Sequence, residues 1–256
     1  MTFKFLPAPK IGPRTVGDFQ FPGPRDRVTI NGMTGSGKST FALWLFAESA
    51  DFDKKPWILI DYKGEDIIQS ALKEEIFASL PIGDHIPKKS GIYVVMPDAK
   101  AGVGPVAEFL WRVYDSGNVG LFLDEATMIP ELRGEGNSGG PFQSILSQGR
   151  SKRIPCWVLA QRPAHLNLMV LSENNYYCAF LLRSKKDLEK VTDNIPESSR
   201  DFERVWSPTL SLDRYWSRWY DVAQNRSFLM RPSPSADKIL DILSHRVDKM
   251  KSREAI

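Results

Sequence analysis

The segment Gly32-Met-Thr-Gly-Ser-Gly-Lys-Ser-Thr40 gathers the residue types that hold a polyphosphate. Gly32, Gly37, Lys38 and Ser39 fit the spacing G-x-x-x-x-G-K-[ST]. Glycines at 32, 35 and 37 let backbone N–H groups approach phosphate oxygens with no Cβ in the way, and Thr34 and Ser36 keep the rest of the loop short and polar. Lys38 adds a full positive charge beside β- and γ-phosphates, and the Ser39 hydroxyl suits Mg²⁺. A helix starting near Lys38, with Thr40 in its first turn, points its positive end at the same anion.

A second group lies downstream. Val119-Gly-Leu-Phe-Leu-Asp124 reads as a buried strand ending in a carboxylate, with Glu125 next. Asp124 at a strand tip is placed to share Mg²⁺ with Ser39, and Glu125 to orient and polarise an attacking water. An enzyme that hydrolyses a nucleotide repeatedly needs that second carboxylate; a small-molecule kinase does not. Gln161 closes the run "VLAQRP". It is either a plain polar strand end or an amide that donates to the γ-phosphate or holds the lytic water.

These residues need a scaffold. Apolar runs at Arg27–Asn31, Trp57–Asp61, Ile92–Met96, Val119–Asp124, Pro155–Ala160 and Tyr177–Leu182 read as strands. Between them come helical patterns at Thr40–Ala50, around Val106, Phe109, Leu110 and Val113, and from Pro141 through Leu146. Such alternation predicts an α/β fold, a mostly parallel sheet with helices on both faces. "RWYDVAQNRSFLMRP" reads as a hairpin about Gln224-Asn225, and Ala236, Leu240, Leu243, Val247 and Met250 mark a terminal amphipathic helix. Residues 1–25 carry Pro7, Pro9, Pro13, Pro22 and Pro24 and predict an extended arm, packed on a neighbouring subunit or loose. Residues 26–256 then form one domain.

Composition sets bounds. The chain is 42% hydrophobic and 25% charged with a net charge of +3, ordinary for a globular protein and not a nucleic-acid-binding signature. Cys156 and Cys178 lie in apolar runs and read as core residues of a reducing compartment. No signal peptide and no apolar run of membrane-spanning length is visible, which points to the cytoplasm.

Four motifs in order, "GMTGSGKST", "ILIDYKGE", "LFLDEA" and "VLAQRP", resemble the FtsK/HerA superfamily of DNA-pumping ATPases, with Ala160 where members carry Thr. "FLLRSKKD" looks like the next strand of that pattern. The resemblance implies a RecA-like P-loop fold of the additional-strand, catalytic-glutamate type, with ATP and Mg²⁺ as ligands. A minimal one-domain chain is most similar to the genome-packaging ATPases of internal-membrane, double-jelly-roll icosahedral viruses. That branch implies a ring, most often a hexamer, pumping double-stranded DNA into a preformed capsid, with capsid or portal-vertex proteins as partners in the host cytoplasm. A conjugation or plasmid-transfer ATPase is the alternative branch. A GTPase or a small-molecule kinase is the remote one: "SKKD" vaguely resembles the guanine-reading N-K-x-D, but Asp124 is followed by Glu-Ala-Thr rather than x-x-Gly, and Glu125 beside the Mg²⁺ aspartate would be an odd choice for a kinase.

Superfamily members commonly carry a Gly-Arg pair before the Gln strand, which marks Arg150 as the arginine given in trans to a neighbour's nucleotide, with Arg153 and Arg183 behind it. Each is equally a solvated arginine. The glycine-rich loop Arg133–Gly140 either faces a pore or is plain surface. Lys88-Lys89, Lys185-Lys186 and the terminal Lys249, Lys251 and Arg253 are basic candidates for phosphate contact, and no element resembles a base reader.

Overall fold

The protein is described from a computed structural model, which places residues 15–16, 19–98, 100, 102–129, 139–195, 206 and 212–254. In chain order these are β1 (Thr15–Val16), β2 (Phe19–Gln20), β3 (Val28–Asn31), α1 (Lys38–Ser49), β4 (Pro56–Asp61), α2 (Asp66–Lys73), β5 (Ala78–Ser79), β6 (Gly91–Val95) and α3 (Gly104–Ser116). Then follow β7 (Gly120–Asp124), α4 (Pro141–Gln148), β8 (Cys156–Ala160), α5 (Leu168–Ser172), β9 (Tyr176–Ala179), α6 (Lys185–Thr192), β10 (Ser217–Asp221), β11 (Arg226–Met230) and α7 (Ala236–Glu254).

Among the described residues nine strands form one sheet in the order β11-β10-β9-β3-β8-β7-β4-β6-β5. The strands from β9 to β5 are parallel, while β10 and β11 run antiparallel at one edge. β8 is inserted between β3, which feeds the glycine-rich loop, and β7, which ends in Asp124. This is the additional-strand arrangement expected from the motifs. The Tyr177–Leu182 run is strand only to Ala179, after which the chain leaves the ladder toward α6.

Alternate side chains sort to two cores because strand residues point to opposite faces. Val28, Ile30, Trp57, Leu59, Phe122 and Trp157 pack with α1, α2 and α7. Thr29 hydrogen-bonds Val170 on the other face, where Ile58, Ile60, Leu121, Leu123 and Val158 meet α3, α4 and α5. Helix α1 is buried along almost its whole length, so its sequence is apolar all round rather than striped. Phe46 sits edge-on to Trp57, Phe122 and Trp157, at 5.2, 5.8 and 6.0 Å between ring centres. No basic residue lies in the last turn of α1. Arg246 of α7 takes that role, donating to the carbonyls of Ala47 and Ala50 at 2.6 Å each.

Phe19 and Phe21, within the stretch expected as an arm, pack on this domain instead: Phe19 is fully buried against Trp219, and Phe21 lies 5.6 Å from Trp44. Residues 1–14 lie outside the described residues, as do 133–138 of the glycine-rich loop. Both cysteines are free and buried, and burial raises their thiols, Cys156 to about 12. Among the described residues no helix is long and apolar enough to cross a membrane.

Gly120 begins β7 under the ring of Trp57, where an added Cβ would come within 2.1 Å of ring carbon. Gly120→Ala is expected to destabilise the fold by about 1–3 kcal/mol or more through overpacking. Chemical denaturation is the measure, and a midpoint equal to that of the native chain would contradict the packing described.

Candidate functional site

The parallel strands bring their C-terminal ends to one edge of the sheet. Asp61 of β4 pairs in register with Asp124 of β7, and Asn31 of β3 pairs with Ala160 of β8. Residues after each strand therefore meet: the loop at 32–37, the turn at 62–65, Glu125 and Gln161. A cavity of about 190 Å³ opens among them, lined by the expected loop residues Thr34, Gly35, Gly37, Lys38, Ser39 and Thr40 and by Lys63, Glu65 and Gln161.

The loop geometry requires its glycines. A Cβ at Gly32 would lie 2.7 Å from Phe180 Cβ and 2.7 Å from Ser36 Oγ. Gly37 has φ +91°, a left-handed value, and directly precedes α1. No side chain caps α1, so its first N–H groups are left for an anion. Lys38 is buried, with Nζ 3.4 Å from Asp124 Oδ1 and 3.5 Å from Ser39 Oγ. Burial pulls its ammonium below the usual lysine range against the opposing pull of Asp124. A phosphate would add a second anionic partner beside Asp124.

Asp124 and Glu125 diverge because Glu125 takes a left-handed backbone, φ 60° and ψ 61°. Asp124 stays under the loop with Lys38. Glu125 turns to Lys63, its Oε2 at 2.8 Å from Nζ, while its Oε1 accepts from the Thr127 hydroxyl. Burial alone would raise the Glu125 carboxyl, but the contacts with Lys63 and Thr127 and the charge of Lys38 hold it below the usual carboxylate range. Burial likewise works to lower Lys63, and the charges of Asp124 and Glu125 hold it above the usual lysine range.

Sequence reasoning assigned no role to the D-Y-K-G-E turn after β4, which the structure makes central. Asp61 accepts from the backbone N–H of Lys63, Gly64 and Glu65 at 3.0, 2.9 and 2.9 Å. The bonds fold the turn over the strand end and aim Lys63 at Glu125 and Glu65 at the loop. Glu65 Oε1 accepts from Ser39 Oγ at 3.0 Å, and burial, reinforced by Asp124, raises its carboxyl. The signal was present in the quoted motif: an acid followed two and three residues on by Lys and Gly is an Asx-type turn.

Gln161 lines the cavity beside Lys63. The next residue, Arg162, bonds Asp187 of α6 at 2.8 Å, and Asp187 also accepts from Ala164 N–H at 3.1 Å. Asp187 is thus a buried clamp on the Gln161 loop, which removes it as a guanine-reading carboxylate. Arg150 is exposed in the turn before β8, whereas Gln161 follows that strand. The Lys152 carbonyl in the same turn accepts from Asn118 N–H, just before β7. Arg150 and Arg153 therefore lie at the opposite sheet edge, roughly 16 Å of strand away from the cavity. Within one subunit Arg150 does not join the other expected residues. Arg183 differs: it borders a second cavity beside Met33–Ser36 of the same chain.

The chain is 32% identical over 230 residues to the DNA packaging ATPase P9 of Enterobacteria phage PRD1, covering 86% of this chain and 93% of P9. The genome packaging NTPase B204 of Sulfolobus turreted icosahedral virus 2, solved with AMPPCP, matches at TM-score 0.60 and 17% identity over 82% of this chain and all of B204. VirB4 of Thermoanaerobacter pseudethanolicus matches at TM-score 0.52 and 12% identity, over 82% of this chain and 90% of VirB4. The two structural likenesses speak for the fold. No profile of a protein family matches the chain.

Lys63→Met removes the ammonium that keeps Glu125 ionised and leaves burial as the stronger influence. The Glu125 titration midpoint, followed by carboxyl ¹³C NMR, is expected below the ordinary glutamate range in the native protein and clearly higher in the variant. Equal midpoints would remove Lys63 as the cause.

Proposed function

The chain belongs to the family of viral DNA-packaging ATPases represented by P9, and from that membership we propose that it is the motor that drives double-stranded DNA into a preformed capsid by hydrolysing ATP. The observation that carries this reading is the convergence of Lys38, Asp124, Glu125 and Gln161 on one sheet edge, in a chain alike to P9 along nearly its full length. The further parts of the reading are the ring, most often a hexamer, the capsid or portal-vertex partners, and the host-cell cytoplasm as the place of work.

Mg²⁺ fits the donor set. Asp124 Oδ2 is buried and has no hydrogen-bond donor among the described residues, and Ser39 Oγ and Asp124 Oδ1 both lie within 3.5 Å of the Lys38 ammonium. Ser39 and Asp124 would hold the ion, which when bound neutralises charge on the β- and γ-phosphate oxygens. The chain's own residues do the rest. The loop N–H groups and Lys38 bind the phosphates, Lys38 exchanging its contact with Asp124 for a phosphate oxygen. Glu125, kept ionised, accepts a proton from the attacking water at a carboxylate oxygen. The Gln161 amide donates to the γ-phosphoryl group or holds that water. Arg150, remote from its own cavity, suits stabilisation of the transition state in a neighbouring subunit.

Glu125→Gln keeps shape but removes the base; nucleotide binding is expected to persist while turnover falls by roughly 10²-fold or more. Lys38→Ala is expected to lose nucleotide binding. A loss of binding in Glu125→Gln, with turnover reduced only in proportion, would make that residue structural. Added duplex DNA is expected to accelerate ATP hydrolysis, which separates a translocase from a kinase. For Arg150, the measure is a mixture of Arg150→Ala and Lys38→Ala subunits. Each is expected to be inactive alone, and the mixture to recover activity where an intact loop faces an intact arginine. Normal turnover by Arg150→Ala alone would exclude the role.

A further inference from the structure

A second cavity, about 370 Å³, lies on the far side of the glycine-rich loop and shares Met33, Thr34 and Gly35 with the first. We propose that it is the nucleobase site, that it takes purines by stacking on Tyr215, and that it chooses only weakly between adenine and guanine. The proposal rests on the reading of the loop as a triphosphate cradle.

The volume falls at the lower end of the roughly 300–1,000 Å³ of small-molecule sites. Its position is set by the phosphates: a nucleotide with its γ-phosphate near Lys38 and Gln161 must extend its other end past the loop. The walls there are Met33, Ser36, Leu181, Arg183, Arg214 and Tyr215. Tyr215 is unusual on two counts. It is a large aromatic side chain left 42% exposed, and its backbone is left-handed at φ 70°. Bulky residues avoid that conformation, and such outliers gather at ligand clamps. The ring lies on the loop itself, since a Cβ on Gly37 would sit 3.0 Å from Tyr215 Cδ1. The Arg214 guanidinium covers part of the ring at 4.8 Å from its centre. Ser36 is buried and borders the cavity, and its hydroxyl has no hydrogen-bond partner among the described residues.

The polar groups decide selectivity. Arg183 and Arg214 only donate, and they suit ring nitrogens that both purines carry. Among the described residues no carboxylate lines the cavity, so the N1–H and amino group that distinguish guanine meet no carboxylate acceptor there. Asp187, four residues beyond Arg183, is committed to Arg162 and Ala164.

The test uses Tyr215→Asn, because asparagine tolerates a positive φ, with Tyr215→Phe as the stacking control. Steady-state hydrolysis gives KM for ATP and GTP, and inorganic tripolyphosphate is titrated as a competitor that has no base. The native protein is expected to prefer ATP to tripolyphosphate and to give KM values for ATP and GTP within about tenfold. Tyr215→Asn is expected to raise KM for ATP by about 5- to 100-fold, the range of one lost base–aromatic stack, with kcat and the tripolyphosphate inhibition constant little changed. Tyr215→Phe should behave as the native chain. An unchanged KM for ATP in Tyr215→Asn overturns the site. So does an equal loss for tripolyphosphate, which would make the ring a mere support for the loop. Discrimination between ATP and GTP beyond 100-fold overturns the weak choice. If tripolyphosphate fails to compete at all with the native protein, the cradle reading itself falls.

Discussion

Charge confined at the end of a sheet is the constraint on which the rest of this structure depends. Two lysines and four carboxylates share one edge: Lys38 with Asp124, Lys63 with Asp124 and Glu125, Glu65 with the Ser39 hydroxyl, and Asp61 with the backbone of its own turn. Taken out of water, each charge is costly unless its partner is held in place. The fold supplies that holding through backbone rather than flexible side chains. Strand register sets Asp61 beside Asp124, and three N–H groups fix the turn that carries Lys63 and Glu65. The left-handed step at Glu125 then separates two adjacent acids into two environments, one under the phosphate loop and one facing Lys63. The resulting cluster is a linked network, with Asp124 between Lys38 and Lys63 and Glu125 beyond Lys63, and Lys38 is the member whose ammonium burial most disfavours.

The inserted strand β8 extends this logic. By sitting between β3 and β7 it places Gln161 between the loop and the acids, and the Arg162–Asp187 pair keeps the chain beyond it from drifting. Behind the edge, α1 is anchored by aromatic rings along its length and by Arg246 at its carbonyl end. The helix dipole and the loop are thus fixed relative to the acids of β7.

Much of this was legible in the sequence. The glycine-rich loop, the Asp-Glu strand and the Gln strand announced themselves because their residue types serve chemistry that few other patterns serve. Strand and helix alternation gave the parallel sheet, and the hairpin turned where Gln224-Asn225 predicted. Other parts were not legible, for physical reasons. The importance of Asp61, Lys63 and Glu65 arises from backbone hydrogen bonds within a turn, and a motif quoted for likeness does not show which way its side chains point. Phe19 looked like part of a proline-punctuated arm, but a single aromatic can be drawn into a core by tertiary packing that no local pattern records. Tyr215 stood in no motif at all, and only folding brings it to the loop, nearly 180 positions away in the chain.

The placement of Arg150 at one sheet edge and the cavity at the other bears on symmetry. A subunit that offers an arginine from one edge and receives one at the opposite edge has unlike, complementary surfaces. Such surfaces permit joining head to tail, each subunit giving to the next and receiving from the one before. Head-to-tail joining that closes gives a cyclic assembly with two different faces, and an object with different faces distinguishes the two directions along its axis. In a ring so joined, directionality would follow from the parallel run of the strands, inherited from the order in which one chain visits its sheet.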